Sequence, residues 1–547
     1  MQVKNTFNNY RKISFFKIFD NIFGKGLYVL FLILMIISLS QKCNYHVDEI
    51  WTYGLSNQNG SYYLNVTDGE EYEPGEKPFL EFLTVQPEHR FDYANVWLNQ
   101  SNDVHPPLYY VLVHTVCSFF PEHFSLWFAG VVNLIFALLT LFVLRKTINC
   151  FIENPFLINS ISLAFVLSAG VLHSTTFLRM YVAAMFWVTF LTYCYIKRVS
   201  DKYGNEKEFL VIASVVTLLG SLTHYYCMVY SVLISITYFI YLIIGKKYKE
   251  TRNFCFTMMD TGIVLYFIFP AVIHHIFFSN RGQEVFINAH NSSDFLARLN
   301  SFYLIINQQL FGNIGTVIFL AIVAIYLYVL KCNKNKIGDL HLHSFFGNQQ
   351  LISYIFLCLP AFFYFIIISK ISVLIEDRYL FPIYAVTFCA VVLAFIKLLR
   401  LLLSPKNVKM VAVLLLSLIT IGSWINCKWT YLYLGSREFL KKIDAQIPVE
   451  CVSIYSNNWE ILPLFVEAKE YQSIRFIKTK NEIMIEDASK TINDNSKNNK
   501  IVLSLAGIPE NKHQNYINVF LNKSGRLSAF KKLGTHQFST SYILYTK

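Results

Sequence analysis

Eleven apolar stretches of this chain each come close to the ~20 residues that a helix needs to cross a ~30 Å hydrocarbon core. In lipid no water satisfies a backbone N–H or C=O, so such stretches have to fold as helices that close their own hydrogen bonds. They fall at about residues 26–44, 124–144, 156–175, 178–196, 207–223, 226–245, 258–278, 312–331, 350–371, 379–402 and 408–426. Only 15% of the residues are charged and 54% are hydrophobic, a balance that soluble domains do not show. The predicted fold class is therefore an α-helical polytopic membrane protein of about 11 transmembrane helices. The net charge of +12 resides mainly in short connectors and in a C-terminal segment without an aromatic-basic stripe, which argues against nucleic acid as a partner.

The basic residues report sidedness. Arg145 with Lys146, Lys197 with Arg198, Lys246 to Lys249, Lys331 to Lys336 and Lys397 to Lys406 occupy alternate connectors, on the side of the basic N-terminus with its Lys4, Arg11, Lys12, Lys17 and Lys25. The positive-inside rule makes that side the cytoplasm and the first span an uncleaved signal-anchor. This assignment requires that the apolar segment Pro106 to Phe120, about 15 residues, lie against the membrane as a juxtamembrane or re-entrant helix without crossing it. The segments 45–123 and 279–311, the corners at His173 to Arg179, His224 and Glu376 to Arg378, and everything after Cys427 then face outward.

The first outer segment is long and acidic, which marks it as more than a connector. After Cys427 short β-like runs, Val452 to Tyr455, Ser473 to Ile477, Ile501 to Leu505 and Tyr542 to Tyr545, alternate with polar stretches. The organisation expected is a transmembrane domain over 1–427 and a small α/β or mainly β extracytoplasmic domain over 428–547. Within the latter, Lys490 to Lys500 reads as a polar loop. The cysteines show no metal spacing and read as small hydrophobes; Cys427 and Cys451 are the one pair placed for an outward disulfide.

Chemistry-bearing residues concentrate on the outward side. Asp48 and Glu49 follow the first span, and on a helix adjacent side chains diverge by ~100°, so one carboxylate can enter a cavity that its neighbour helps to shape. His105 precedes Pro106-Pro107, a helix-start signal. Arg179 opens the fourth span, His224 and Tyr225 form the next outer corner, and Lys370 and Arg378 flank the corner before the tenth. Arginine there suits bidentate contact with a phosphate. Taken singly each residue also has an ordinary reading, as an acidic cap, an interfacial imidazole, a snorkelling cation or a local ion pair. Their shared sidedness is what those readings leave unexplained.

In this order the motifs Asp48-Glu49, His105-Pro106-Pro107-Leu108-Tyr109-Tyr110, Arg179-Met180-Tyr181, His224-Tyr225-Tyr226 and Arg378-Tyr379-Leu380-Phe381-Pro382 resemble those of GT-C fold glycosyltransferases. The type is that of the protein O-mannosyltransferases and lipid A aminoarabinose transferases, the family-39 group. The resemblance covers about residues 20–400 and leaves the C-terminal segment unmatched. It implies an inverting glycosyltransferase that moves a sugar from a polyprenyl-phosphate donor to a hydroxyl of a glycan, lipid or protein at the outer face of a bacterial plasma membrane. In that reading Asp48 is the catalytic base, with Glu49 as support or substitute. Arg378, with Arg179 or Lys370, stabilises the departing phosphate, and His105, His224 and Tyr225 line the donor site. No cofactor is certain: the family is not uniform in metal use, a divalent ion is compatible with it, and the sequence shows no ligand cluster. The absence of a Gly-rich nucleotide loop fits a lipid-borne donor. Two rival classes are a transporter or flippase, favoured by intramembrane charges or repeated halves that are not evident here, and a lipid-linked oligosaccharide ligase or polymerase.

Overall fold

The computed structural model describes residues 22–546 apart from 61–62, 201–204, 292, 333–348, 448, 496–499 and 525–526. Each of the eleven apolar stretches contains helix. The first is α1 (Ile22–Ser40). The outer segment that follows folds into α2 (Val47–Asn57), strand β1 (Glu71–Tyr72), α3 (Lys77–Leu83), α4 (Tyr93–Asn102) and α5 (Leu108–Ser118). Next come α6 (Leu126–Phe151), α7 (Pro155–Val166), α8 (Ala169–Thr175), α9 (Tyr181–Val199), α10 (Glu206–Thr223), α11 (Tyr225–Ile244) and α12 (Tyr248–Ile268). Three helices, α13 (Ala271–Phe277), α14 (Asn280–His290) and α15 (Phe295–Gln309), fill the second outer segment. The bundle ends with α16 (Gly315–Cys332), α17 (Gln349–Ile371), α18 (Tyr384–Leu402) and α19 (Pro405–Asn426).

Six of these helices are long and apolar enough to cross a membrane alone, and two bent pairs, α7 with α8 at 54° and α12 with α13 at 98°, reach that length together. Two stretches expected as continuous thus break. The sharper bend falls at Phe269-Pro270, where proline has no N–H to continue the α12 ladder. Helix α5 has only 11 residues, the length expected for a segment that does not cross. Helix α9 begins at Tyr181, runs through the middle of the bundle almost wholly buried, and ends on the basic pair Lys197-Arg198.

Polar side chains inside the bundle fix its corners. Asn133 of α6 donates to the carbonyls of Thr175 and Phe177 and accepts from the Tyr109 hydroxyl of α5 at 2.9 Å. A buried amide with all these partners satisfies a break that would otherwise leave carbonyls unpaired in an apolar interior. It also sets the turn that carries Arg179.

Beyond α19, helix α20 (Ser436–Asp444) leads into β2 (Glu450–Tyr455), β3 (Ser473–Lys478), α21 (Glu482–Asn495), β4 (Lys500–Ala506), α22 (Glu510–Lys523), β5 (Leu527–His536) and β6 (Ser539–Thr546). The sheet order is β1-β3-β2-β4-β6-β5, with β2 parallel to β3 and β4 and the other pairs antiparallel. All four predicted β runs are strands. Strand β1 comes from the first outer segment, so the two expected domains share a sheet: Glu71 accepts from Ser473 and Arg475 of β3. Two expectations fail. Of the loop expected over Lys490 to Lys500, Lys490 to Asn495 end α21, because Ile485 and Ala488 bury an apolar helix face that a polar count overlooks, Lys500 opens β4, and 496–499 lie outside the described residues. Cys427 and Cys451 are separate buried thiols, one ending α19 and the other within β2.

Candidate active site

Helix α2 starts the site because its first turn is fixed on every side. His46 caps it, accepting the Asp48 N–H on Nδ1, while the Glu49 carboxylate reaches back to the His46 N–H at 2.7 Å. Glu49 has no exposed surface; its other oxygen accepts from the Leu178 N–H at 2.7 Å and lies 2.9 Å from the Lys42 ammonium. Burial pushes Glu49 up and Lys42 down, and their pairing opposes both shifts. With both oxygens engaged away from the cavity, Glu49 is a staple between α1, α2 and the Leu178 turn.

Asp48, one position earlier, projects the other way into a cavity of about 290 Å³. Its side chain is 28% exposed and is paired with the Arg378 guanidinium. Burial opposes its charge, but Arg378 and Arg179 together outweigh that cost and hold the carboxyl well below the usual carboxylate range. Arg378 lies within 2.6 Å of Glu376 through Nε, with the Tyr379 and Phe177 rings beside it. In the tight Asp377–Tyr379 turn neighbouring side chains splay apart. Asp377 therefore points away, accepting from Tyr431 and Gln309 at 2.7 Å each, with His173 at 3.1 Å.

Arg179 is buried, and among the described residues no carboxylate forms an ion pair with it. Its Nη1 donates to the Asp48 carbonyl, Thr52 and Tyr110, and Nη2 lies 3.3 Å from Nε2 of His105. Nδ1 of His105 is 2.7 Å from Asp103. An imidazole that gives Nδ1–H to a carboxylate leaves Nε2 as an acceptor, so Asp103 and His105 together orient the guanidinium. His224 closes the opposite wall. It ends α10 in an extended conformation and caps α11 by accepting the Tyr226 N–H on Nδ1, which leaves Nε2–H as its donor. Burial, with His105 and both arginines nearby, pushes His224 well below the usual imidazole range, so it is neutral. The Tyr225 hydroxyl meets Nδ1 of His275 at 2.6 Å, and His275 reaches the Ser101 carbonyl, tying α11 to α13 and α4.

The structure brings six of the eight predicted residues, Asp48, His105, Arg179, His224, Tyr225 and Arg378, to one cavity. Glu49 stands behind it. Lys370 is outside its lining: the ammonium is bonded to the Asn291 carbonyl and sits 5.4 Å from the Phe295 ring. Tyr181 belongs to the Arg179-Met180-Tyr181 motif, Asp103 stands two residues before His105 and Asp377 lies in the Glu376 to Arg378 corner, but none of them is predicted as a site residue, and neither is His275 or Arg281. His275 and Arg281 line the cavity through the packing of α13 and α14. The remaining wall is apolar, built by Met228, Val229, Val285, Val373 and Leu374. A larger groove of about 650 Å³ between α15, α16, α17 and α18 has no charged residue in its lining. Among the described residues, no three His, Cys, Asp or Glu side chains are grouped to hold a metal ion.

Bundle, outer helices and terminal sheet together have the fold of a solved structure. Among the solved structures that match are two of ArnT from Cupriavidus metallidurans. Its crystal structure bound to undecaprenyl phosphate aligns with a TM-score of 0.51 at 9% sequence identity, over 94% of this chain and 97% of that one. The apo state of the same protein gives 0.48 at 9% identity, over 95% and 98%. At that identity the likeness is one of fold. No family model matches the sequence, and no curated protein matches it.

Proposed function

We propose that this chain transfers a sugar from a polyprenyl-phosphate donor to an acceptor hydroxyl, with inversion, at the outer face of the membrane. The observation that carries the reading is the cavity itself: one partly exposed carboxylate, two buried guanidiniums and an apolar wall share one space at one end of the bundle. A phosphate monoester leaving group needs positive charge where its oxygen develops, and Arg179 offers a buried guanidinium with which, among the described residues, no carboxylate forms an ion pair. The apolar wall suits the first units of a lipid tail. The ArnT structure with undecaprenyl phosphate supports a donor of this class.

Asp48 is the general base in this reading. Attack from the face opposite the phosphate forms the new C1–O bond as the old one breaks, the electron pair goes to the phosphate oxygen, and the hydroxyl proton goes to Asp48. Paired with Arg378 the carboxylate is a weak base, so a donor phosphate that draws Arg378 toward itself raises its basicity. When Asp48 becomes neutral the phosphate gains a charge, and the same guanidinium is beside both. Glu49 positions α2, and Lys370 has no part in the cavity. The basic connectors at the other ends of the helices support an outward site and an outward C-terminal domain.

Purified chain in lipid vesicles, given synthetic polyprenyl-phosphate donors with a radiolabelled sugar, tests the proposal. Asp48→Asn and Arg378→Ala are each expected to lose about 100-fold or more in transfer rate. Wild-type rates in both variants overturn it.

A further inference from the structure

The last hairpin of the chain touches the first turn of α2. Strands β5 and β6 are joined by the two residues Gln537 and Phe538, and Gln537 has φ 50°, in the left-handed region. A two-residue hairpin with positive φ at its first position and not at its second is the turn that prefers glycine there. A glutamine held in that conformation costs backbone energy, which asks what its side chain does. Its Oε1 accepts the Val47 N–H at 2.9 Å, and its Nε2 donates to the Tyr45 carbonyl at 2.8 Å. The Val47 N–H is one of the donors that a helix leaves without an internal partner at its start. His536 lies beside the same Tyr45 carbonyl at 3.1 Å and packs on the Tyr433 ring. The irregular segment before α2 is gripped once more where the Cys43 N–H donates to the Leu432 carbonyl at 2.8 Å. The residue next to Val47 is Asp48.

We infer that Gln537 is a positioning residue for Asp48, and that the C-terminal domain acts in the reaction by fixing the first turn of α2. This rests on the proposed function for the role of Asp48, though not for the clamp itself. A base has to stand within hydrogen-bond reach of the proton it takes, and displacement of about 1 Å is enough to slow a reaction strongly. The clamp bonds Val47 and Tyr45 and no residue of the apolar wall or either arginine, so its loss acts on turnover more than on donor binding.

Gln537→Gly is the discriminating variant, because glycine suits the turn and only the side-chain bridge is removed. In the full-length protein in detergent micelles, amide exchange of a peptide covering residues 44–50 is expected to quicken by about tenfold, as two lost hydrogen bonds dictate. In the vesicle transfer assay kcat is expected to fall about tenfold or more, with the donor KM within about twofold. Gln537→Ala, which keeps the strain and loses the bridge, is expected to exchange as fast as the glycine variant. Unchanged exchange overturns the inference, and so does faster exchange with wild-type kcat. A wild-type protein that transfers no sugar at all overturns the proposed function, while faster exchange in Gln537→Gly still upholds the clamp.

Discussion

The ion pair between Lys42 and Glu49 offers a test that needs no substrate. Both side chains are essentially without exposed surface, 1% and 0%, and 2.9 Å apart. Removing one partner strands a buried charge. Lys42→Met leaves the carboxylate with two backbone N–H donors and no counter-ion, a change that costs about 3 to 5 kcal/mol. Glu49→Leu strands an ammonium that retains the Thr176 and Tyr431 carbonyls and the nearby Tyr45 and Tyr433 rings but no carboxylate, at a similar cost. The double variant removes both charges and leaves four backbone groups without these partners, each worth about 1 kcal/mol. The two losses therefore fail to add, and the coupling energy is expected to be about 2 to 6 kcal/mol. Reversible unfolding in mixed micelles, followed by tryptophan fluorescence, measures it for wild type, both single variants and the double. The exposed pair Arg281–Glu284, with side chains 57% and 45% accessible, is the internal control and should couple by no more than about 0.5 kcal/mol. A Lys42–Glu49 coupling as small as the control's would refute the placement of Glu49 as a buried staple.

Burial pushes His46 and His536 down to about 4, so both stay neutral in the fold and take up protons on unfolding below their ordinary range. More protons bound by the unfolded chain means that stability falls as pH drops from the usual imidazole range toward 4, by up to about 3 kcal/mol for each imidazole. Unfolding titrations of wild type against His46→Gln and His536→Gln should show flatter acid limbs in the variants; parallel curves would contradict this. An added Cβ at Gly54 would meet ring carbons of Phe82 at 2.0 and 2.1 Å, so Gly54→Ala should cost about 1 to 3 kcal/mol despite alanine's better helix propensity, as read from the unfolding midpoint. Lys370→Ala should keep transfer within about threefold of wild type in the vesicle assay, since only cavity groups bear on the transition state; a 100-fold loss would return Lys370 to the site.

Helices and strands were legible where a period or a length carries the signal. The apolar lengths place the spans, and the short, nearly continuous apolar run Ile501 to Leu505 places β4, which is buried on both faces. The broken helices were not, because a bend such as that at Phe269-Pro270 depends on what fills the corner: here α14 packs back through Gly282, where an added Cβ would run into the Ile276 carbonyl. Residues at helix ends on one side of the membrane gave most of the cavity, since sidedness is a property of the sequence. Which of two adjacent carboxylates faces in was not, because it turns on Lys42 and the Leu178 N–H, the latter 129 residues from Glu49. The same holds for Asp377, whose partners His173 and Gln309 lie 204 and 68 residues away. Lys370 misled for a related reason: two cations across a corner look like a pair in sequence, and only the packing of α14 and α15 draws one of them aside.

Glu71 and Ser473 are 402 residues apart, yet they meet along the shared edge of the terminal sheet. During synthesis the segment that will carry β1 leaves the ribosome long before the strand that receives it exists. It has to wait, unpaired, until nearly the entire bundle has been inserted. Closure of the terminal sheet is therefore a late event, and a chain interrupted before β3 would hold the helices of the bundle with β1 lacking the strand it pairs with.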